Sequence, residues 1–279
     1  MRKFYCITVL LLFCLVLPAG CGSPVPAQAP EDTIAPSPAP TVEMVDLFAE
    51  ETITPLPVTP SPSPEPTPTP DPYLDGVSAT EYREGFLYVP LNSAMIMRIT
   101  GMSYPSDTFS CLVSYDELRY LRILYVDFDG ETHSGELIVH EKLADEVLHI
   151  FAELYDASYP LTSVRLVDDF GEPGDDTKSM EADNTSSFCY RKVTDSEKLS
   201  RHSYGAAIDI NPMRNPYIRP DGSVSPKNGK KYADRSKDFP GKIDTDDLCY
   251  KTFIKYGWSW GGDFTDSKDY QHFSKEIVR

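Results

Sequence analysis

Two short segments near the C-terminus decide how the rest of the chain is read. They are Ser200-Arg201-His202-Ser203-Tyr204-Gly205-Ala206-Ala207-Ile208-Asp209 and Asp269-Tyr270-Gln271-His272-Phe273. Together they offer two imidazoles, a carboxylate seven residues after the first, and a second carboxylate three residues before the other. A catalytic zinc centre is built from such parts: three protein ligands, an open position and a base beside it. On a straight strand His202 and Asp209 would face opposite sides, because side chains alternate with period two. The two converge only if the chain turns between them, and Gly205 permits the turn. Ala206 and Ala207 are small enough for close packing there. His202, Asp209 and His272 are therefore the candidate metal ligands. Asp269 is the candidate general base and acid, since a fourth protein ligand would close the site and make it structural.

Outward from these segments, the pattern predicts strands with a few helices and no repeating βαβ order. Residues 120–126 and 135–139 are rich in β-branched, aliphatic and aromatic side chains, with Asp129-Gly130 between them. That reads as a hairpin. Residues 141–156 place Leu143, Val147, Ile150, Phe151 and Leu154 on one helical face. A strand is expected over 163–167, and shorter ones over 188–191, 206–210 and 271–273. Asp244 or Thr245 is positioned to cap a helix running to Tyr256, with Gly257 ending it. The class is α+β: a single domain with a small antiparallel sheet and flanking helices.

The N-terminal quarter has a different composition. Arg2 and Lys3 precede an apolar run over residues 4–17, and Pro18-Ala19-Gly20-Cys21 closes it. The run is short for a membrane span and suits a secretory signal. Small residues before a cysteine resemble a bacterial lipobox, which would make residues 1–20 a signal peptide and Cys21 a lipid-bearing N-terminus. Residues 21–72 read as a tether. Fifteen of the 25 prolines fall in 24–72, with eight Asp or Glu and no Lys or Arg. Such a segment cannot bury a core and extends to roughly 150 Å at ~3.1 Å per residue. The expected address is the outer face of a bacterial membrane. The net charge of −17 argues against nucleic acid as partner. Outside the signal and Cys21, only Cys111, Cys189 and Cys249 remain, an odd number without a CxxC pair. They imply no disulfide framework and no catalytic thiol.

The pattern Ser-x-His-x-x-Gly-x-Ala-x-Asp, followed by Asp-x-x-His, resembles the zinc D-alanyl-D-alanine carboxypeptidase family. That family includes VanY-like carboxypeptidases, D,D-dipeptidases and L-alanyl-D-glutamate endopeptidases. The resemblance extends to Ala207-Ile208-Asp209-Ile210-Asn211-Pro212, Asn215-Pro216-Tyr217, and Gly257-Trp258-Ser259-Trp260-Gly261-Gly262-Asp263-Phe264. It covers most of residues 120–279, leaving 73–119 as an N-terminal extension. It implies a hedgehog/D,D-peptidase-type fold and a Zn2+ ion on His202, Asp209 and His272. Asp269 takes the catalytic acid position. Asn184-Thr185-Ser186-Ser187-Phe188 looks like the segment that brings an arginine, Arg191, to stabilise an oxyanion or a substrate carboxylate. The implied substrate is a peptidoglycan stem peptide, cut by a monomeric enzyme. The sequence leaves open a D-Ala-D-Ala carboxypeptidase, an L-Ala-D-Glu endopeptidase, or a non-catalytic zinc-containing wall-binding module. His133, His140 and His149 are read as structural, and Trp258 and Trp260 as core or pocket wall.

Overall fold

The computed structural model describes residues 71–193 and 196–277. The expected signal segment, and the expected tether as far as residue 70, lie outside them. Among the described residues no helix is long and apolar enough to cross a membrane.

Two short strands, β1 (Thr80–Arg83) and β2 (Phe86–Pro90), lead into α1 (Ser93–Ile99). Asn92 caps α1 by accepting the Met95 N–H. Two nine-residue strands, β3 (Leu118–Val126) and β4 (Thr132–His140), pair antiparallel along their whole length. Asp127 closes the turn between them: its Oδ1 accepts the Asp129 and Glu131 N–H groups, each at 2.9 Å. β2 pairs with the outer edge of β3, so the main sheet runs β1-β2-β3-β4 and includes part of the expected extension.

Both faces of this sheet are covered, which is why β3 reads as a nearly continuous apolar run. Leu121, Ile123 and Tyr125 face the larger core, together with Leu137 and Val139 of β4. Leu118, Tyr120 and Ile138 face the other way, onto Met95 and Ile99 of α1 and onto Tyr104. The larger core is closed by α2 (Ala144–Asp156), through Val147, Ile150, Phe151 and Leu154. The expected first turn of that helix is a tighter 3-10 turn, Glu141–Leu143, because His140 caps it: Nδ1 accepts the Lys142 N–H.

The second half of the chain is made of short pieces. β5 (Ser163–Val164) pairs parallel with β6 (Asn184–Thr185), and α3 (Thr177–Glu181) lies between them in sequence. The strand expected over 163–167 stops early. The Asn184 side chain accepts the Arg165 N–H and donates to the Arg165 carbonyl, which uses up the groups a longer ladder would need. β7 (Ala207–Asp209) is followed by a hairpin of β8 (Tyr217–Ile218) and β9 (Val224–Ser225). α4 (Leu248–Lys255) starts three residues later than expected from Asp244, since Asp247 is the cap and accepts the Cys249 and Tyr250 N–H groups. Residues 188–191 form no strand. Their backbone donors go to the His202 and Ser103 carbonyls and to the Ser203 hydroxyl.

The chain ends with β10 (Ser259–Trp260), β11 (Lys268–Asp269) and β12 (His272–Ser274). β12 lies between β10 and β7, and β8 lies between β11 and β9. Trp258 and Trp260 are buried in the larger core, their indole N–H groups donating to Glu146 and to the Tyr270 carbonyl. Cys111, Cys189 and Cys249 are free thiols. Among the described residues the architecture is α+β, with one four-stranded and two three-stranded antiparallel sheets and the parallel β5–β6 pair.

Candidate metal centre

The first imidazole is set by a turn, as the spacing requires. Residues Arg201–Tyr204 form a single 3-10 turn, and the Ser200 hydroxyl caps it by accepting the His202 N–H. Gly205 then reverses the chain at φ +61°. This glycine has two reasons to be one. Positive φ disfavours any side chain, and a Cβ would lie 2.5 Å from the His140 backbone nitrogen. The Gly205 carbonyl accepts that same N–H at 2.9 Å, which pins the turn to the end of β4.

Strand pairing sets the other two ligands. His272 of β12 stands directly opposite Asp209 of β7 in the antiparallel ladder. Cross-strand partners share a face, with Cβ atoms about 5 Å apart. A seventy-residue sequence separation from His202 to His272 is thus reduced to a cross-strand contact and a turn. His202 Nε2 lies 3.2 Å from His272 Nδ1 and 3.4 Å from Asp209 Oδ1, and His272 Nδ1 lies 3.1 Å from Asp209 Oδ1. Four donors at 2.0–2.1 Å around a tetrahedral centre stand roughly 3.3–3.4 Å apart. The triangle has the size and the donor set of a zinc face. Among the described residues it is also the group of His, Cys, Asp or Glu side chains whose ligand atoms converge within 4.8 Å.

His202 Nδ1 lies 2.5 Å from the Ser187 carbonyl. Donation to that oxygen leaves Nε2 with its lone pair toward the triangle, the arrangement that orients a metal-binding imidazole. Burial by itself disfavours charge on His202, but the adjoining Asp209 carboxylate outweighs it and raises the imidazole's pKa. Burial likewise works to raise the pKa of Asp209. The His202 charge and the hydrogen bonds from both imidazoles prevail and hold it well below the usual carboxylate range.

Asp269 is brought to the same place. β11 precedes β12 by a two-residue turn, and the Asp269 Oδ1 atom is buried with no hydrogen-bond partner. Burial pushes its pKa up to about 7, with the Asp209 charge adding to the rise and the His272 charge opposing it. An unpartnered carboxyl titrating near neutrality beside a ligand triangle is suited to accept and return a proton. Gly261 makes this approach possible. A Cβ there would lie 2.5 Å from the Asp269 carbonyl oxygen and 3.2 Å from the His272 Cβ.

Arg191 lies behind His202. Its backbone N–H donates to the Ser203 hydroxyl, and Ser203 in turn donates to the Arg191 carbonyl. Its guanidinium, however, is bound to buried Asp176, with Nε at 2.8 Å and Nη2 at 2.6 Å. Burial lowers the guanidinium pKa, and the Asp176 carboxylate more than reverses that. The charge of Arg191 is thus largely compensated before any ligand arrives.

Several site features are not marked in the sequence by a residue type. The Ser187 carbonyl is a backbone group, and Asp176 carries no motif. Gly261 and Tyr217 lie in the stretches that carry the family resemblance, but the pairing of Tyr217 with Asp269 across β8 and β11 is not marked there. The remaining histidines are elsewhere: His133 on Asp127, His140 capping its turn, and His149 against the Tyr82 ring. Asp263 is exposed in the turn Gly261–Asp263.

Residues 194–275 match the family described as D-alanyl-D-alanine carboxypeptidase. The matched stretch contains His202, Asp209, Asp269 and His272, and it supports a peptidase of that broad kind. No curated protein and no solved structure matches the chain.

Proposed function

We propose that this chain is a cell-surface zinc metallopeptidase that hydrolyses peptidoglycan stem peptides, with D-Ala-D-Ala carboxypeptidase activity as the first reading and L-Ala-D-Glu endopeptidase activity as the alternative. One observation carries the proposal: three ligand atoms at zinc spacing with a carboxyl beside them, Asp269, whose Oδ1 is buried and unpartnered. The family match over the same residues supports it. The hedgehog/D,D-peptidase-type fold belongs to the same reading, as do the signal, the tether and a lipid on Cys21.

His202, Asp209 and His272 would hold the ion, and a bound zinc supplies Lewis acidity toward a peptide carbonyl. The chain's own groups do the rest. Ser187 keeps His202 in the ligating tautomer. Asp269 accepts a proton from attacking water and delivers one to the leaving amine. Arg191 is held by Asp176, which offsets most of its charge, so only the remainder is left to act on developing negative charge. The test is direct. The purified chain should carry one zinc, release D-alanine or a stem fragment from muropeptides, stop when chelated, and resume when zinc returns. Hydrolysis that persists in metal-free protein would overturn the reading.

A further inference from the structure

We propose that Tyr217 and Arg219 form a subsite for a free α-carboxylate on the residue that departs with the amine, so that amidation of that carboxylate weakens binding. The inference rests on the peptidase reading above and deepens it.

The geometry begins at Asp269. Tyr217 stands directly opposite Asp269 in the β8–β11 ladder, so the two side chains share one face. Alternation along the chain puts Arg219 on that face too. Its guanidinium carbon lies 4.9 Å from the Tyr217 ring centroid, as a shared face demands. From the ligand triangle outward, one surface therefore presents an acid, an aromatic ring with a hydroxyl, and a cation. All three residues are half-buried, and the Asp269 Oδ1 atom is the buried inner end of the row. The hairpin turn holds Arg219 in place: its N–H donates to the Ser223 carbonyl and its carbonyl accepts the Gly222 N–H.

Arg219 differs from the other cations around the site. Arg191 is neutralised by Asp176. Lys268 donates its ammonium to the Gly262 and Phe264 carbonyls. Arg214 is paired with Asp183, and Arg235 is engaged with carbonyls and with Asn215. Among the described residues no carboxylate forms an ion pair with Arg219. Asp221, two residues on, accepts the Ser223 N–H and feels the Arg219 charge without forming a contact ion pair with it. A planar guanidinium resting on an aromatic ring, with its donors unused, is suited to a carboxylate.

The two candidate scissile bonds have one feature in common on the amine side. The leaving D-alanine carries a free α-carboxylate because it is C-terminal. D-glutamate carries one because it is linked onward through its γ-carboxyl. In both, the group sits on the carbon attached to the scissile nitrogen. A single cationic subsite next to Asp269 serves either bond, and it would distinguish the acid from its amide.

The experiment separates this subsite from the peptidase reading. The ligand is the N-acetylated peptide L-Ala-γ-D-Glu-L-Lys-D-Ala-D-Ala, with two analogues amidated at the D-Glu α-carboxyl or at the terminal carboxyl. Calorimetric binding is measured on the zinc-loaded full chain carrying Asp269→Asn, with and without Arg219→Ala or Arg219→Lys. One of the two amidations should weaken binding by roughly tenfold or more, the scale of a charge-assisted contact. Arg219→Ala should abolish that discrimination, and Arg219→Lys should restore part of it. Equal loss of affinity for acid and amide on Arg219→Ala, or no loss for either, overturns the subsite. Zinc content and circular dichroism of each variant show that neither result comes from misfolding. Turnover by the chain with Asp269 intact reads the peptidase proposal independently; if turnover is absent, that proposal falls and the binding comparison still decides the subsite.

Discussion

Two clusters of polar groups adjoin the end of β7, and they are built on opposite principles. One is the knot around Asp183, Asn211 and Asn215. Asp183 accepts four hydrogen bonds, from the Met213 and Arg214 N–H groups, the Thr162 hydroxyl and the Arg214 guanidinium. Asn211 bridges Thr162 and Pro160. Asn215 donates to three carbonyls and accepts from Ile243 and Arg235. The other cluster is His202, Asp209, His272 and Asp269. There, three ligand atoms point at one another and Asp269 Oδ1 has no partner. A buried polar group left unsatisfied costs on the order of 1–3 kcal/mol. A knot that closes on itself has nothing left to bind with. A cluster with surplus lone pairs gains its partner only from outside, and that separates structure from site when both are polar.

The largest expected effect breaks the second cluster only. His202→Ala or Asp209→Ala should lose zinc and all hydrolysis while the knot, and with it the circular dichroism spectrum, survives. Metal analysis beside the spectrum checks both halves. Asp269→Asn is milder in kind: kcat should fall by about 10²–10⁴-fold, with zinc retained, because the residue reacts rather than ligates. If zinc were lost as well, Asp269 would be a ligand and the division of roles would fail.

Breaking the knot should do the reverse. Asp183→Ala leaves two backbone N–H groups and the Arg214 charge without their partner, and a stability loss of about 3 kcal/mol is expected. Zinc stoichiometry of the folded fraction should not change. Denaturant unfolding gives the first number and metal analysis of the soluble chain the second.

The smallest effect concerns a half-buried carboxylate outside both clusters, Glu136, which supplies a charge control. Glu136 is raised in pKa by burial, but hydrogen bonds from Arg98 and Tyr120 overcome this and leave it lowered. A lowered carboxyl contributes stability that is fully present above its unfolded pKa, about 4.3, and is lost as pH falls through its folded value. The destabilisation caused by Glu136→Gln should therefore be largest near neutral pH and shrink in acid. A penalty that stayed constant with pH would show that packing, not charge, holds this carboxylate.

Most of the candidate site was legible in the sequence because ligand chemistry restricts residue type. Few patterns place His202, Gly205 and Asp209 ahead of an Asp269-x-x-His272, so the residues could be named without coordinates. Long elements were legible for a similar reason: the β3–β4 hairpin and α2 carry their periodicity over nine or more residues. Short elements were not, since side chains override propensity there. Asn184 cuts β5 short and Asp247 takes the cap from Asp244. Residues 188–191 carry strand-forming types, yet loop partners take their backbone donors.

What the sequence by itself determined was the inventory: which side chains can ligate, which can move a proton, and where the chain can turn. Tertiary structure alone decided their use. The β7–β12 register sets His272 against Asp209, the Ser187 carbonyl fixes the His202 tautomer, and Asp176 compensates Arg191. The β8–β11 register, in turn, sets Tyr217 against Asp269. The physical reason is the same in each case. Charge, tautomer and pKa depend on neighbours within a few ångströms, and those neighbours come from residues far apart in the chain.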